Sequence, residues 1–218
     1  MSITQFASLS PGSTGVTGNH AFQMNGVPAG SSTQKYLPAG FEIYAQGEKC
    51  DALYKVAFGG VRIFRLLADG RRQISAFCLS GEIFGFESGE THHFFAETLC
   101  HSAVSCWPMN TSSRTMDAEL LPMAIQGLVR AQEHLLVLGR QDATQRIAAF
   151  FLEMAERQGD LEIVELPMSR NDIADYLGLS LETVSRTFSR LKCNGVIRLF
   201  SLRCVKLVNR KHLEKLAS

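Results

Sequence analysis

Glu182, Ser185 and Arg186 fall within the first two turns of a predicted helix, and their side chains could hydrogen-bond to the edges of base pairs. An Arg can donate two hydrogen bonds to guanine O6 and N7, a Glu can accept one from cytosine N4, and a Ser can bond either kind of edge. The apolar residues of this helix recur at i, i+4 and i+7 and form its buried face: Val184, Phe188 and Leu191. The outward face is therefore predicted to contact bases through Leu181, Glu182, Ser185 and Arg186. The alternative is a solvated face on which Glu182 and Arg186 form an i, i+4 pair, worth about 0.2–0.5 kcal/mol to a helix.

Residues 168–192 place this helix second in a unit of two short helices joined by a tight turn. Ser169 is a good N-cap for the first helix, and Asp172 completes a capping-box-like start three residues later. Gly178 lies where the chain must turn sharply, because glycine adopts a left-handed conformation without steric cost. Ser180 then caps the second helix. The pattern predicts a helix-turn-helix.

The N-terminus of the first helix is predicted to contact a DNA phosphate. The first helix of this motif crosses the DNA backbone, and free N–H groups together with the helix dipole attract anions. Ser169 would then cap the helix and lie within reach of a phosphate, with Arg170 beside it; the alternative is a cap that faces water. The full set predicted to contact phosphates consists of hydroxyl and guanidinium side chains of the two helices: Ser169, Arg170, Ser180, Thr183, Ser189 and Arg190.

Charge is distributed unevenly along the chain, although the net charge is only +1. Residues 168–218 carry ten Lys or Arg against four Asp or Glu, whereas the rest of the chain carries twelve against seventeen. A basic C-terminal quarter on an acidic body is typical of a module that binds phosphates electrostatically. Double-stranded DNA is therefore the predicted partner.

The order Glu182-Thr-Val-Ser185-Arg186 resembles the Glu-x-x-Ser-Arg recognition-helix motif of the FNR branch of the CRP/FNR regulators, and the resemblance covers roughly residues 35–218. Within that family the chain looks most like the FixK group. The resemblance implies a homodimeric transcription activator that binds a TTGAT–N4–ATCAA type palindrome and recruits RNA polymerase. It also implies target genes for low-oxygen respiration and nitrogen fixation.

Residues 35–116 read as short strands separated by glycine turns, which predicts a small β-sandwich or barrel. The glycine pattern resembles the cyclic-nucleotide-binding fold of CRP. In cAMP-binding members, Gly-Glu is followed by an Arg-Ser or Arg-Thr that holds the cyclic phosphate, but here Gly81 and Glu82 are followed by His92 and His93. Neutral His offers one donor where Arg offers a charged fork, so cAMP binding is not expected and the histidines are interpreted as exposed loop residues. The alternative is a ligand-gated regulator with another small effector in the β domain.

Residues 1–34 are rich in Gly, Ser and Thr and are predicted to form a flexible N-terminal arm. In FNR this arm supplies clustered cysteines for an iron–sulfur cluster. The first cysteine here is Cys50, so ligation of that kind is not expected. No cofactor and no metal site are predicted.

Residues 117–157 are predicted to be a long dimerisation helix, with Pro122 near its start because an interior Pro costs about 3 kcal/mol. Apolar residues alternate at spacings of three and four over nearly three heptads, which is typical of a coiled-coil seam: Leu121, Ala124, Leu128, Ala131, Leu135 and Leu138. A helix packed only within its own chain would explain the same pattern. The family resemblance favours a parallel homodimer.

Residues 158–218 are predicted to form a winged helix-turn-helix DNA-binding domain. The whole chain is thus predicted to be α+β, with a cyclic-nucleotide-binding-like β-barrel or sandwich, a long dimerisation helix and the winged domain. The composition of 45% apolar and 20% charged residues, without a run of 18 apolar residues or a secretory N-terminus, predicts a cytoplasmic protein with no membrane partner. No catalytic triad order or phosphate-binding Gly loop occurs, so an enzyme is not expected.

Overall fold

The computed structural model describes residues 33–108, 114–140 and 142–218. The flexible arm predicted for residues 1–34 therefore lies outside the described residues, except for Thr33 and Gln34, which begin the first strand. Among the described residues, no helix combines the length and hydropathy needed to cross a bilayer.

The N-terminal domain is a β-sandwich of two four-stranded antiparallel sheets, as predicted. The strands, in chain order, are β1 Thr33–Leu37, β2 Glu42–Tyr44, β3 Ala52–Phe58, β4 Gly60–Leu66, β5 Arg72–Leu79, β6 Ile83–Phe84, β7 Phe95–Thr98 and β8 Ser102–Pro108. One sheet has the order β1-β8-β3-β6 and the other β2-β7-β4-β5. Apolar side chains of both sheets, including Ile43, Val56, Val61 and Val104, are buried together between them. The hydrophobic effect of this burial holds the two layers face to face.

The turn between β3 and β4 requires glycine. Gly59 has a φ of +85°, and a Cβ there would lie 2.8 Å from the carbonyl oxygen of His101. Glycine alone supplies both the left-handed backbone and the close approach of β8.

Two helices, α1 Arg114–Leu138 and α2 Ala143–Arg157, replace the single helix predicted for residues 117–157. The prediction of one continuous helix was wrong because Asp142 is extended and its carboxylate accepts a hydrogen bond from the N–H of Thr144, which starts a new helix. Pro122 was also misplaced: α1 begins two turns upstream, so Pro122 lies inside it.

The C-terminal domain is a winged helix-turn-helix, as predicted. It consists of β9 Ile163–Glu165, α3 Arg170–Leu177, α4 Leu181–Cys193, β10 Ile197–Leu199, β11 Cys204–Leu207 and α5 Arg210–Ala217, with the sheet order β10-β11-β9. Helix α2 packs against this domain: the ring of Phe151 lies 4.8 Å from that of Phe188 in α4, and Ile147 and Met154 are buried in the same cluster. The same cluster includes Phe64 and Ile74 of the β domain, so the two domains share one core.

Candidate nucleic-acid interface

Helix α4 presents one apolar face to the protein and one polar face to solvent. Ser180 adopts an extended conformation and its Oγ accepts a hydrogen bond from the N–H of Thr183, which fixes where the helix begins. Val184, Phe188 and Leu191 are fully buried, as their spacing predicts. Of the residues between them, Thr187 is also buried, whereas Ser185, Arg186, Ser189 and Arg190 are exposed.

The four residues predicted to contact bases share that exposed face: Leu181, Glu182, Ser185 and Arg186. The side chains of Glu182 and Arg186 are 85% and 77% exposed, and their nearest charged atoms are 3.8 Å apart. Such an exposed i, i+4 pair is weak, so both groups can exchange it for hydrogen bonds to bases. The geometry thus presents a donor, an acceptor and a hydroxyl within the first two turns of one exposed helix.

The N-terminus of α3 carries the predicted capping box. Ser169 Oγ accepts a hydrogen bond from the N–H of Asp172 at 3.1 Å, and Asp172 Oδ2 accepts from the Ser169 N–H at 2.9 Å. The Ser169 hydroxyl also lies 2.7 Å from the same carboxylate oxygen and donates to it. Ser169 is exposed, so it remains available at a helix N-terminus that favours anions.

Two of the predicted phosphate contacts are engaged within the protein. The guanidinium of Arg170 lies over the ring of Phe188, with 3.3 Å from its central carbon to the ring centroid. Burial there lowers the pKa of Arg170 to about 10, so the group stays charged at neutral pH. Arg190 donates a hydrogen bond to the hydroxyl of Thr144 at the start of α2. Either side chain would have to leave these partners to reach a phosphate.

The remaining hydroxyls of the predicted phosphate set bond within α4. The hydroxyls of Ser180 and Thr183 lie 2.9 Å apart, and Ser189 Oγ donates to the carbonyl oxygen of Ser185 at 2.9 Å. Ser180 and Ser189 are exposed, and Thr183 is half-buried. The assignment of Ser169, Ser180, Thr183 and Ser189 to phosphates stays a prediction.

Helix α1 exposes a broad apolar face that includes four of the six residues of the predicted seam. Leu121, Leu128 and Leu135 are 64%, 59% and 67% exposed. Ala131 is also exposed, but Ala124 and Leu138 are half-buried against their own chain. The sequence interpretation missed three further exposed apolar side chains, Ile125, Val129 and Leu136, although the spacing from Leu121 to Ile125 to Leu128 could have indicated them.

The opposite side of α1 packs on the rest of the chain. His134 is buried, and its ring stacks on that of Tyr176 of α3 with 3.8 Å between centroids. Burial lowers the pKa of His134 to about 4, because the charged form would lose its hydration. The exposed apolar side chains therefore lie on the side of α1 that the rest of the chain does not cover.

Glu82, the residue that would face a cyclic nucleotide in the family pattern, is instead bound by arginines of both long helices. Its carboxylate accepts hydrogen bonds from Arg130 and Arg157 at 2.7 Å each, and from the backbone N–H of Leu79 at 2.9 Å. Arg157 also pairs with Glu153 at 2.7 Å. This network ties the β domain to α1 and α2.

The two histidines at the Arg-Ser positions have different environments. His93 is exposed and its Nδ1 lies 2.6 Å from Glu87, in accord with the interpretation as a loop residue. For His92 that interpretation was wrong: the residue is buried and its ring stacks on Tyr44 at 3.6 Å. Burial lowers the pKa of His92, so the ring is neutral and cannot replace a phosphate-binding Arg.

Two arginines of the β domain form ion pairs with the first helix of the motif. Arg72 contacts Asp172 at 2.7 Å and Asp175 at 2.8 Å, and Arg62 contacts Asp172 at 2.9 Å. Gln73 adds a hydrogen bond to the carbonyl oxygen of Asp175 at 2.8 Å. We refer to Arg62, Arg72, Asp172 and Asp175 as the arginine clasp. Because Asp172 also belongs to the capping box, the clasp holds the end of α3 that carries Ser169.

Comparison with known families and proteins identifies both halves of the chain. Residues 34–117 match the cyclic nucleotide-binding domain and residues 145–216 match the Crp-like helix-turn-helix domain. The chain is 48% identical over 183 residues to the nitrogen fixation regulation protein FixK of Rhizobium meliloti (strain 1021), covering 84% of this chain and 86% of that protein. It is 39% identical over 215 residues to FixK of Azorhizobium caulinodans, covering 94% and 87%. The structure of FixK2 from Bradyrhizobium japonicum superposes with a TM-score of 0.80 at 39% identity, covering 86% of this chain and 98% of that one.

Proposed function

Because the chain belongs to the CRP/FNR family of transcription regulators and its relatives include FixK proteins, we propose that it activates transcription from a palindromic operator as a homodimer. Two α4 helices enter successive major grooves about 34 Å apart, and each reads one half-site. The operator is of the TTGAT–N4–ATCAA type, and the bound dimer recruits RNA polymerase in the cytoplasm.

The exposed face of α4 is the observation that best supports this proposal. Leu181, Glu182, Ser185 and Arg186 project from a helix whose other face is fully buried, so the helix can enter a groove without rearranging the core. The basic charge of residues 168–218 adds sequence-independent attraction to phosphates. The regulated genes are those of low-oxygen respiration and nitrogen fixation; the FixK relatives are nitrogen fixation regulation proteins.

Alanine substitutions at Glu182 and Arg186 test the reading of bases. Each is expected to weaken binding to the preferred operator by about 1–3 kcal/mol, which is roughly 5- to 150-fold. Binding of Glu182→Ala to random DNA should change far less, because that residue contributes no attraction to phosphates. Glu156→Ala, an exposed acid on α2, removes the same charge away from α4 and serves as the control. If the operator and random DNA weaken equally for Glu182→Ala, the base contact is refuted.

We further propose that binding requires neither cAMP nor an iron–sulfur cluster. Glu82 already has arginine partners on α1 and α2, and the ring of His92 is buried, so neither group is free to bind a cyclic nucleotide in this arrangement. A ligand present at 100 times its Kd stabilises a protein by about 2.7 kcal/mol. Millimolar cAMP should therefore change neither the Tm nor operator affinity, and calorimetric binding of cAMP would show that the pocket is still functional.

A further inference from the structure

The exposed face of α1 follows a heptad pattern that the sequence alone did not resolve. Leu121, Ile125, Leu128 and Leu135 are exposed at alternating intervals of four and three residues, with one further member of that series at position 132. In heptad notation the three leucines occupy d positions, and Ile125 and Gln132 occupy a positions. A β-branched residue at a with Leu at d favours parallel two-stranded coiled coils.

The flanks of this face carry no charge that could align two helices. Charged residues at e and g positions usually set partner and orientation in a coiled coil. Between residues 120 and 138, whose side chains the structure describes, those positions are occupied by Pro122, Val129 and Leu136 (e) and by Ala124, Ala131 and Leu138 (g). Gln132 is the only polar side chain at an a or d position in that range, and it is exposed.

We infer that Gln132 sets the register and direction of the α1 pair by bonding to Gln132 of a second copy. An amide carries both donors and an acceptor, so two amides related by a two-fold axis can satisfy each other. This inference rests on the homodimer proposed above and goes beyond it, because apolar packing alone would allow several alignments.

Other alignments leave the amide without a partner. A slip of one heptad in either direction places Gln132 opposite Ile125 or Gly139, and an antiparallel pair places it near leucines at d. A buried amide without a partner loses its hydrogen bonds to water without replacement. The register that pairs the two amides is therefore more stable than the other alignments, although the polar residue lowers the affinity of the dimer as a whole.

The register matters for operator recognition because the proposed pairing of two α1 helices sets where the two α4 helices lie relative to each other. A slip of one heptad moves one protomer by about 10 Å along the helix axis, at 1.5 Å per residue. A slipped dimer would no longer be two-fold symmetric, so its two recognition helices could not enter equivalent grooves of one palindrome together.

Substitutions at Gln132 and at a matched control test the inference. Gln126 is exposed on the same helix at a b position, away from the a and d positions. Sedimentation equilibrium of the full chain gives the dimer Kd for four variants: Gln132→Ile, Gln132→Glu, Gln126→Ile and Gln126→Glu. Titration with operator DNA gives the fraction of each dimer that can bind.

The two Gln132 variants are expected to act in opposite directions. Gln132→Ile should tighten the dimer tenfold or more while lowering the fraction competent for operator, because the a layers become apolar and tolerate slips. Gln132→Glu should weaken the dimer at least tenfold at pH 7.5 and recover at pH 5, where the facing carboxylates share protons. Both Gln126 variants should match the unmodified chain.

The outcomes separate this inference from the proposed function. A chain that is monomeric when it binds operator refutes the proposed homodimer. A stable dimer in which Gln132→Glu behaves like Gln126→Glu, or in which Gln132→Ile is no tighter and fully competent, refutes the role of Gln132 and leaves the dimer intact.

Discussion

Replacing Arg72 with alanine is expected to loosen the attachment of the DNA-binding domain to the β domain. Arg72 reaches from β5 to α3, where Nη2 lies 2.7 Å from Asp172 and 2.8 Å from Asp175, and Nε lies 3.0 Å from Asp175. The substitution removes the three contacts that Arg72 makes in the arginine clasp at once. Asp172 keeps Arg62 at 2.9 Å and keeps its capping-box bonds to Ser169.

The expected loss follows from how well these groups are shielded from water. The side chain of Asp172 is 4% exposed, and those of Arg72 and Asp175 are each 22% exposed. Hydrogen bonds to charged groups contribute about 1.5–3 kcal/mol, whereas removal of one partner from a buried ion pair costs about 3–5 kcal/mol. Since Arg62 still neutralises Asp172, we expect a loss of about 2–4 kcal/mol in the free energy of unfolding. In a chain of this size that is a fall of roughly 4–16 °C in Tm.

The neighbouring residue provides a matched control. Arg71 pairs with Asp69 at 2.7 Å, but their side chains are 78% and 50% exposed, and both residues lie in the turn between β4 and β5. Exposed pairs contribute about 0–1 kcal/mol, so Arg71→Ala should leave the Tm almost unchanged while removing the same charge. Thermal unfolding of both variants, followed by a double-mutant cycle of Arg72→Ala with Asp175→Ala, isolates the pair; the coupling should lie at about 0.5–3 kcal/mol.

Equal Tm values for Arg71→Ala and Arg72→Ala would refute the reasoning. A coupling energy near zero between Arg72 and Asp175 would exclude Asp175 as the source of the Tm loss and leave the contacts of Arg72 with Asp172 and with the ring of Phe64.

Three further predictions concern Glu82, Ser169 and His134. Glu82→Ala should lower the free energy of unfolding by about 3 kcal/mol in urea titration, because Arg157, whose side chain is 7% exposed, loses a partner; Glu82→Gln, which keeps an acceptor, should cost less. Ser169→Ala should lower the free energy of unfolding by about 1 kcal/mol, because the N-cap of α3 is lost. Ser169→Asp should be no more stable than Ser169→Ala, although Asp is generally a good N-cap. The new carboxylate would face that of Asp172, whose oxygen lies 2.7 Å from the Ser169 hydroxyl. His134, with a folded pKa of about 4 against an ordinary value of 6.5, binds its proton more readily unfolded than folded, so its contribution is complete above pH 6.5 and is lost as the pH falls towards 4. His134→Phe should flatten that part of the stability profile; an unchanged slope would mean that the ring is not buried.

The helix-turn-helix could be derived from the sequence because its determinants are local. The Ser169 and Ser180 caps, the left-handed Gly178 and the apolar i, i+4, i+7 series of α4 act within one or two turns, and each lies where its pattern predicts. The β-sandwich was predicted for the same reason, because glycine turns separate short stretches that suit strands. Strand β6 has only two residues, too few for a period to be recognised.

The surroundings of α1 were decided by the tertiary structure. Periodicity shows that a helix has an apolar face, but which part of that face is left for a partner depends on what covers the rest. Here His134 packs on Tyr176 and Arg130 on Glu82, which turns Ala124 and Leu138 towards their own chain and leaves Ile125 and Leu136 exposed. The exposed apolar face is therefore displaced around the helix relative to the predicted seam, whose role in a dimer stays a prediction.

The charged contacts between domains also depended on the tertiary structure alone. Arg72 and Asp172 are 100 residues apart, and Glu82 and Arg157 are 75 apart. In the sequence each of these side chains has the pattern of an ordinary charged surface residue, because an ion pair requires only proximity and leaves no period or motif. Folding brings β5, α2 and α3 around one shared core, and that packing gives the charges their partners.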